Sequence, residues 1–255
     1  MKKTLKQAAL RAAITALSLL PCLLPAQEPP AGWEFRINGG FNLGGMAPMP
    51  LPVEIRSITL SPPAVSPHVA LEAIRRLNSR WGLSIQLALD YKGFEVEDRV
   101  KNLYTEIEMN GEMYTGNFTG NNTTRIHNSF LTLPLAATCR LGKRWEVQAG
   151  IYAGYLYGPG FKGAASDGYI RQGSPTGEKT IVDQASFDFS DRQQRFDSGL
   201  LAAGEWQFSR RFAARGQLTW GLTPAFPADF TGIPFHMHHF CATLGLGYRL
   251  HAKER

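Results

Sequence analysis

The strongest constraint on the fold is a period-two alternation of apolar and polar side chains that recurs in eight segments. In segment 240–250, Phe240 and Leu244 fall on one face, whereas Thr243 and Arg249 fall on the other. Successive side chains of a strand point to opposite faces, and a strand that crosses a membrane in a barrel alternates over about 9–11 residues. The eight segments are 33–43, 67–76, 81–92, 129–141, 145–155, 196–208, 212–223 and 240–250.

These segments predict an all-β fold, an antiparallel up-and-down transmembrane β-barrel of eight strands. Segment 67–76 also fits a different structure, since Ser66 and Pro67 could begin an amphipathic helix. We interpret it as a strand because bacterial single-chain barrels have an even number of strands.

Aromatic residues stand at the ends of several apolar faces. Two interfacial girdles of a membrane barrel require aromatics at strand ends, whereas a soluble β-sandwich would place them in its core. Their position therefore favours a membrane barrel. The predicted interfacial aromatics are Trp33, Trp81, Tyr91, Trp145, Tyr155, Trp206, Trp220, Phe240 and Tyr248.

The connections alternate between short and long. Membrane barrels have short periplasmic turns and longer extracellular loops. With both termini in the periplasm, every short link falls on that side and every long one outside. The short links are 77–80, 141–144 and 209–211, and the long ones are 44–65, 95–126, 159–195 and 224–236.

The first 26 residues have the features of a secretory signal peptide. A basic start (Lys2 to Arg11) precedes the apolar stretch 12–24, and Ala26 is a suitable cleavage site. We therefore predict a signal peptide at 1–26, a barrel domain at 27–255 and a location in the bacterial outer membrane. The chain has 27 basic and 21 acidic residues, and four of the basic ones fall in the leader, which leaves 23 against 21. A net charge of +2 gives no reason to expect nucleic-acid binding.

Five motifs, taken together, resemble the PorT-like outer-membrane β-barrel family common in Bacteroidetes. The resemblance covers nearly all of the mature chain and implies the barrel fold and a link to protein secretion across the outer membrane. The chain departs from the family at its end, where Leu250 replaces the usual terminal aromatic and five residues follow. The motifs are QLALDYKG at 86–93, FLTLPL at 130–135, GIYAGYL at 150–156, FDSG at 196–199 and LTWGLT at 218–223.

Charged residues fall on the faces that would line the lumen. Eight strands enclose an interior just wide enough for side chains, and buried charges must be paired. We therefore predict a plug of ion pairs in preference to a polar conduit, with Asp197 and Glu205 meeting Arg215. The predicted lumen charge network is Glu34, Arg36, Glu72, Asp90, Lys92, Arg140, Glu146, Asp197, Glu205, Arg215 and Arg249.

No catalytic, cofactor or metal site is predicted. The best nucleophile set is Ser198 beside Asp197, with His127 or His239 as the base, but alternation directs Ser198 to the lipid and Asp197 inward. The segment 236–239 contains three histidines and no acidic partner, which favours a solvated cluster over a metal site.

The leading functional hypothesis is a non-enzymatic barrel with a structural or partner-binding role, linked to secretion as the resemblance implies. Its expected partners are outer-membrane lipid and other envelope or secretion proteins. An alternative is an adhesion or ligand-binding barrel that acts through its long loops, because function on a rigid scaffold often resides in loops. A lipid-modifying enzyme and a passive pore are less favoured.

Overall fold

The structure, a computed structural model, describes residues 32–48, 52–60, 64–174 and 176–250. The predicted signal peptide and residues 251–255 lie outside these ranges. Within them, no helix is long and apolar enough to cross a membrane. The strands are β1 (Trp33–Pro48), β2 (Ile55–Leu60), β3 (Val65–Arg76), β4 (Trp81–Met109), β5 (Glu112–Leu141), β6 (Trp145–Gly158), β7 (Phe161–Gln172), β8 (Lys179–Asp188), β9 (Phe196–Gln207), β10 (Phe212–Gly221) and β11 (Met237–Arg249).

Eight of these strands close into an antiparallel ring. Its order is β1, β3, β4, β5, β6, β9, β10 and β11, and β11 pairs back onto β1 through partners such as Ile37 and Tyr248. These eight strands are the eight predicted segments. Segment 67–76 is a strand (β3) with alternating burial rather than a helix.

The expected count of eight is wrong for the sheet as a whole, which has eleven strands. The additional strands β2, β7 and β8 lie in segments that we expected to be loops. They pair onto parts of β4 and β5 that extend beyond the ring.

The ring is apolar outside and polar inside. On β4, Leu83, Ile85 and Leu87 are about half exposed on the outer face, whereas Ser84 and Gln86 are buried inside. The outer face therefore combines the size and chemistry that lipid contact requires.

The three short links lie at one end of the ring, which we call the turn end. Register pairs of β1 place Trp33 beside Arg75 and Arg36 beside Arg249, so β1 begins and β11 ends there, beside the short links. In the first short link, the Asn78 side-chain oxygen accepts hydrogen bonds from the backbone N–H groups of Arg80 and Trp81, at 2.9 and 2.7 Å. This arrangement fixes the tight turn locally.

At the opposite end the same sheet continues as the head, which consists of β2, β7, β8 and the parts of β4 and β5 beyond the ring. Strands β4 and β5 continue as one long hairpin to a turn at Asn110 and Gly111. Strands β7 and β8 pair along β5, and β8 returns to β4 where Ser186 faces Glu108. The prediction of loops at 95–126 and 159–195 is therefore wrong, because paired backbone and a separate apolar core order both segments.

Candidate functional site

Near the turn end, Arg36 is the centre of the lumen network. Its guanidinium lies 2.6 Å from Glu34, 3.1 Å from Glu146 and 2.8 Å from Glu205. Arg76 bridges two of the same carboxylates, with Nη2 at 2.9 Å from Glu34 and 2.7 Å from Glu146. Each buried carboxylate therefore has a cation within contact distance, which buried charges require.

In the middle of the lumen, Glu72 is the shared acceptor. Its carboxylate accepts hydrogen bonds from Asn38 at 3.1 Å, Gln86 at 3.2 Å and Gln148 at 2.9 Å. Arg215 lies 3.5 Å from Glu72, and it is also 3.5 Å from Glu205.

At the end of the lumen beneath the head, Asp197 lies in a different environment from the one expected. We predicted a contact with Arg215. Instead, Tyr152 donates a hydrogen bond to Asp197 at 2.9 Å, and the Lys92 ammonium lies 3.8 Å away. Lys92 also lies over the ring of Phe130, 4.6 Å from its centroid. The difference arises because Asp197 faces Gly154 on β6 and lies far along β9 from Glu205.

All eleven predicted lumen charges point inward, and the structure adds Arg76 to them. The twelve charged side chains of this network carry six charges of each sign. The lumen also contains His68, Tyr152 and His239, which the sequence analysis does not assign to it. Strand parity predicts their position, since each shares the inward face of its strand with polar residues. The cations are Arg36, Arg76, Lys92, Arg140, Arg215 and Arg249, and the carboxylates are Glu34, Glu72, Asp90, Glu146, Asp197 and Glu205.

Above the network, an apolar cluster closes the mouth of the ring; we call it the mouth cluster. Its members include Ile126 of β5 and Met237 of β11, strands that lie four positions apart in the eight-stranded ring. Phe161 stacks on Phe189 at a centroid distance of 6.0 Å and meets Phe226 edge-on at 5.2 Å. The buried members are Met46, Ile126, Phe161, Phe189, Ala225, Phe226 and Met237, with Phe94, Phe187, Phe230, Ile233 and Phe235 packed against them.

A cavity of about 180 Å³ lies between the mouth cluster and the head. Fifteen of its nineteen lining residues are apolar, and the lining comes from β1, β2, β4, β5, β7, β8 and the segment before β11. Five phenylalanines contribute to it: Phe94, Phe161, Phe187, Phe189 and Phe235.

One wall of the cavity is polar. Asp98, Asn122 and Thr124 line it on the inner face of the β4–β5 hairpin, together with Thr105. Asn122 donates hydrogen bonds to Asp98 at 2.8 Å and to Thr124 at 3.2 Å. Burial raises the pKa of the Asp98 carboxyl, an effect that the hydrogen bond from Asn122 partly offsets.

The sequence model of the family described as "Outer membrane protein beta-barrel domain" matches residues 25–227, a range that includes β1 to β10. The chain belongs to this outer-membrane β-barrel family. Its location is accordingly the bacterial outer membrane. Among curated proteins, none matches the sequence.

Solved structures that this chain matches include two bacterial proteins. The attachment invasion locus protein Ail of Yersinia pestis, in complex with the heparin analogue sucrose octasulfate, is 11% identical, with 86% of this chain and 99% of that chain covered and a TM-score of 0.40. The outer membrane protein OprG from Pseudomonas aeruginosa is 9% identical, with 88% and 99% covered and a TM-score of 0.38.

The nine predicted interfacial aromatics of this outer-membrane barrel lie on the outer face in two bands. Trp145 and Trp206 are neighbours at the turn end, with ring centroids 6.3 Å apart. The band at the turn end consists of Trp33, Trp81, Trp145, Trp206 and Tyr248. The band nearer the head consists of Tyr91, Tyr155, Trp220 and Phe240.

The side chains considered for catalysis do not converge. Ser198 is exposed on the outer face and lies 2.9 Å from the Thr223 hydroxyl, whereas Asp197 is buried in the lumen. His239 is buried edge-on against Phe130, at a centroid distance of 5.0 Å. In the described parts of the chain, no three His, Cys, Asp or Glu side chains are grouped as a metal ion would require.

Proposed function

We propose that this outer-membrane barrel is a non-enzymatic, non-conducting surface protein that binds a small, mainly apolar ligand in the cavity beneath its head. The ring anchors the protein in lipid, and its lumen is filled by the charge network. The head and the mouth cluster provide the binding site.

The cavity is the observation that carries this proposal. An apolar void leaves the atoms of its lining without contacts on one side, at a cost in dispersion energy. Apolar cavities of about 150 Å³ stay dry and accept benzene-sized molecules. At about 180 Å³ the cavity of this protein is large enough for a single aromatic ring with a small substituent.

Toluene is a suitable probe for the proposal. Full-length protein in nanodiscs of zwitterionic lipid should bind toluene in calorimetric titrations, after subtraction of the heat measured with empty nanodiscs. Val96→Phe places a ring in the cavity, because Val96 lines it, and should abolish the saturable binding. Arg99→Phe adds the same ring on the exposed side of β4 and is the matched control. Equal binding by Val96→Phe and the wild type would overturn the proposal.

A secretion-linked role is the second candidate, and the PorT-like resemblance supports it. The five motifs lie in β4, β5, β6, β9 and β10, all of which are ring strands. They therefore support the barrel fold more directly than they support binding to a secretion partner. Co-purification of a tagged copy from gently solubilised outer membranes tests this role. Recovery of secretion-machine components in fixed proportion would support it, and recovery of the barrel alone would count against a stable assembly.

A further inference from the structure

The inner face of the β4–β5 hairpin changes polarity in an order that a purely structural role does not require. From the lumen outward, charged Asp90 and Lys92 are followed by apolar Phe94, then by Asp98, and then by apolar Val100 and residues beyond it. The polar wall of the cavity thus lies between the mouth cluster and the separate apolar core of the head. An apolar residue at position 98 would continue both cores.

The Asp98 carboxyl is unusual for a buried acid, because no lysine or arginine among the described residues pairs with it. It is 6% exposed, and Asn122 is the one side-chain donor found for it in the described part of the chain. No lysine or arginine occurs among the described residues that line the cavity. A buried carboxylate without a cationic partner is unfavourable, whereas the lumen carboxylates of Glu34, Glu146 and Glu205 each contact Arg36.

The remainder of the cavity provides aromatic faces. A cation near the face of a phenylalanine ring is attracted by the ring quadrupole, and a charge-assisted hydrogen bond to a carboxylate is stronger than a neutral one. An ammonium group at the polar wall would receive both interactions, while an apolar body would fill the space between the five phenylalanines.

We propose that the ligand of this cavity is a small amphipathic amine, whose ammonium group donates a hydrogen bond to Asp98 and whose apolar body contacts the phenylalanine rings. This inference rests on the proposed function and specifies its ligand class. The raised pKa of Asp98 agrees with it, since an ammonium group would supply the counter-charge that the carboxylate lacks among the described residues.

Three probes of nearly equal shape separate the contribution of the apolar body from those of a neutral and a charged hydrogen-bond donor. They are toluene, benzyl alcohol and benzylamine, the last of which is protonated at pH 7. In the same nanodiscs, benzylamine should bind the wild type roughly ten- to a hundredfold more tightly than toluene, the range expected for a hydrogen bond to a charged group. Benzyl alcohol should fall between them. Asp98→Asn should remove the preference for benzylamine and preserve toluene binding. Asp183→Asn removes an exposed carboxyl from β8 and is the matched control.

The outcomes distinguish this inference from the proposed function. Equal affinity for toluene and benzylamine, unchanged by Asp98→Asn, would overturn the amine inference while the cavity remains a binding site. Binding of none of the three probes would overturn both.

If Asp98→Asn also loses toluene binding, the amine inference is tested by measuring the affinity of the wild type for benzylamine and toluene over a series of pH values. Asp98 is the one titratable side chain among the described residues lining the cavity. Benzylamine affinity should then weaken as pH falls through the raised pKa of Asp98, with toluene affinity constant. A benzylamine affinity that does not change with pH would overturn the inference.

Discussion

Arg36 is the residue on which the lumen network depends most directly. It is 2% exposed and contacts three carboxylates. Removal of one partner from a buried ion pair is strongly destabilising, since it leaves uncompensated charge.

Arg36→Met should therefore lower the free energy of unfolding by about 3–5 kcal/mol. Urea titration in detergent micelles, followed by tryptophan fluorescence, measures this change. Arg125→Met is the control, because Arg125 pairs with Glu95 at 2.7 Å but its side chain is 60% exposed. An exposed pair contributes about 0–1 kcal/mol. Equal losses for the two variants would contradict a paired plug.

Asp98 should make the stability of the head depend on pH. Its raised pKa means that the folded state holds the proton more tightly than the unfolded chain. The stability contributed by Asp98 is therefore fully present below the ordinary aspartate pKa of about 3.9, and it is lost as pH rises through the folded pKa. Asp98→Asn keeps an acceptor for Asn122 and removes the charge.

Hydrogen exchange over residues 95–126 measures this effect. Protection of the wild type relative to Asp98→Asn should be nearly equal at low pH and should fall as pH rises towards 7. Asp183→Asn controls for the loss of one negative charge. A greater protection of the wild type at neutral pH would show that Asp98 stabilises the head instead.

The ring strands could be predicted from the sequence because lipid and lumen impose opposite demands on alternate residues. β4 shows this clearly, with Leu87 outside and Gln86 inside. The strands of the head face water on one side and a small core on the other, so their alternation is weaker. Glycine, serine and aspartate account for seven of the 22 residues of β7 and β8. The order of these strands comes from pairing with β5 and with each other.

One signal for the head was present in the sequence and was not used. Asn110 and Gly111 form the turn of the β4–β5 hairpin with φ values of 56° and 81°. Positive φ at both central residues is typical of a type I′ turn, and Asn-Gly between alternating segments is its strongest sequence signal. That dipeptide predicts a hairpin at 95–126 in place of a loop.

Gly111→Val should loosen the tip of this hairpin and leave the ring unchanged. Nothing lies within 4 Å of a Cβ added at Gly111, so the cost comes from the left-handed backbone alone. A β-branched residue in that conformation costs about 1–2 kcal/mol. Exchange of amides near residues 105–116 should accelerate, while the unfolding midpoint of the ring stays constant. Glu112→Val, one residue further along, is the control.

At the scale of the whole molecule, the ring and the head are two parts of one sheet that share the β4–β5 hairpin. The edge of β4 that points away from β5 pairs in turn with β3, β2 and β8. The edge of β5 that points away from β4 pairs with β7 and β6. The lumen charges could be predicted because strand parity determines them. The cavity could not, since it is formed by contacts among seven segments that are distant in sequence.

The stacked arrangement places two barriers in series along the barrel axis. The lumen network fills the ring, and the mouth cluster closes it above with side chains from opposite strands. An eight-stranded ring has little space beyond that occupied by its own side chains. An ion would have to displace paired charges and then cross an apolar layer, and both steps are unfavourable.

We therefore expect no discrete conductance steps from the wild-type protein in planar bilayers. Arg36→Met should conduct no better, because the mouth cluster remains intact when the lumen network is weakened. A porin added to the same bilayer verifies that channels can be detected, and migration that changes on boiling verifies that the inserted protein is folded. Steps from Arg36→Met alone would show that the mouth cluster is not a barrier. Steps from the wild type would show that the lumen is a conduit, and would remove the basis for assigning function to the head.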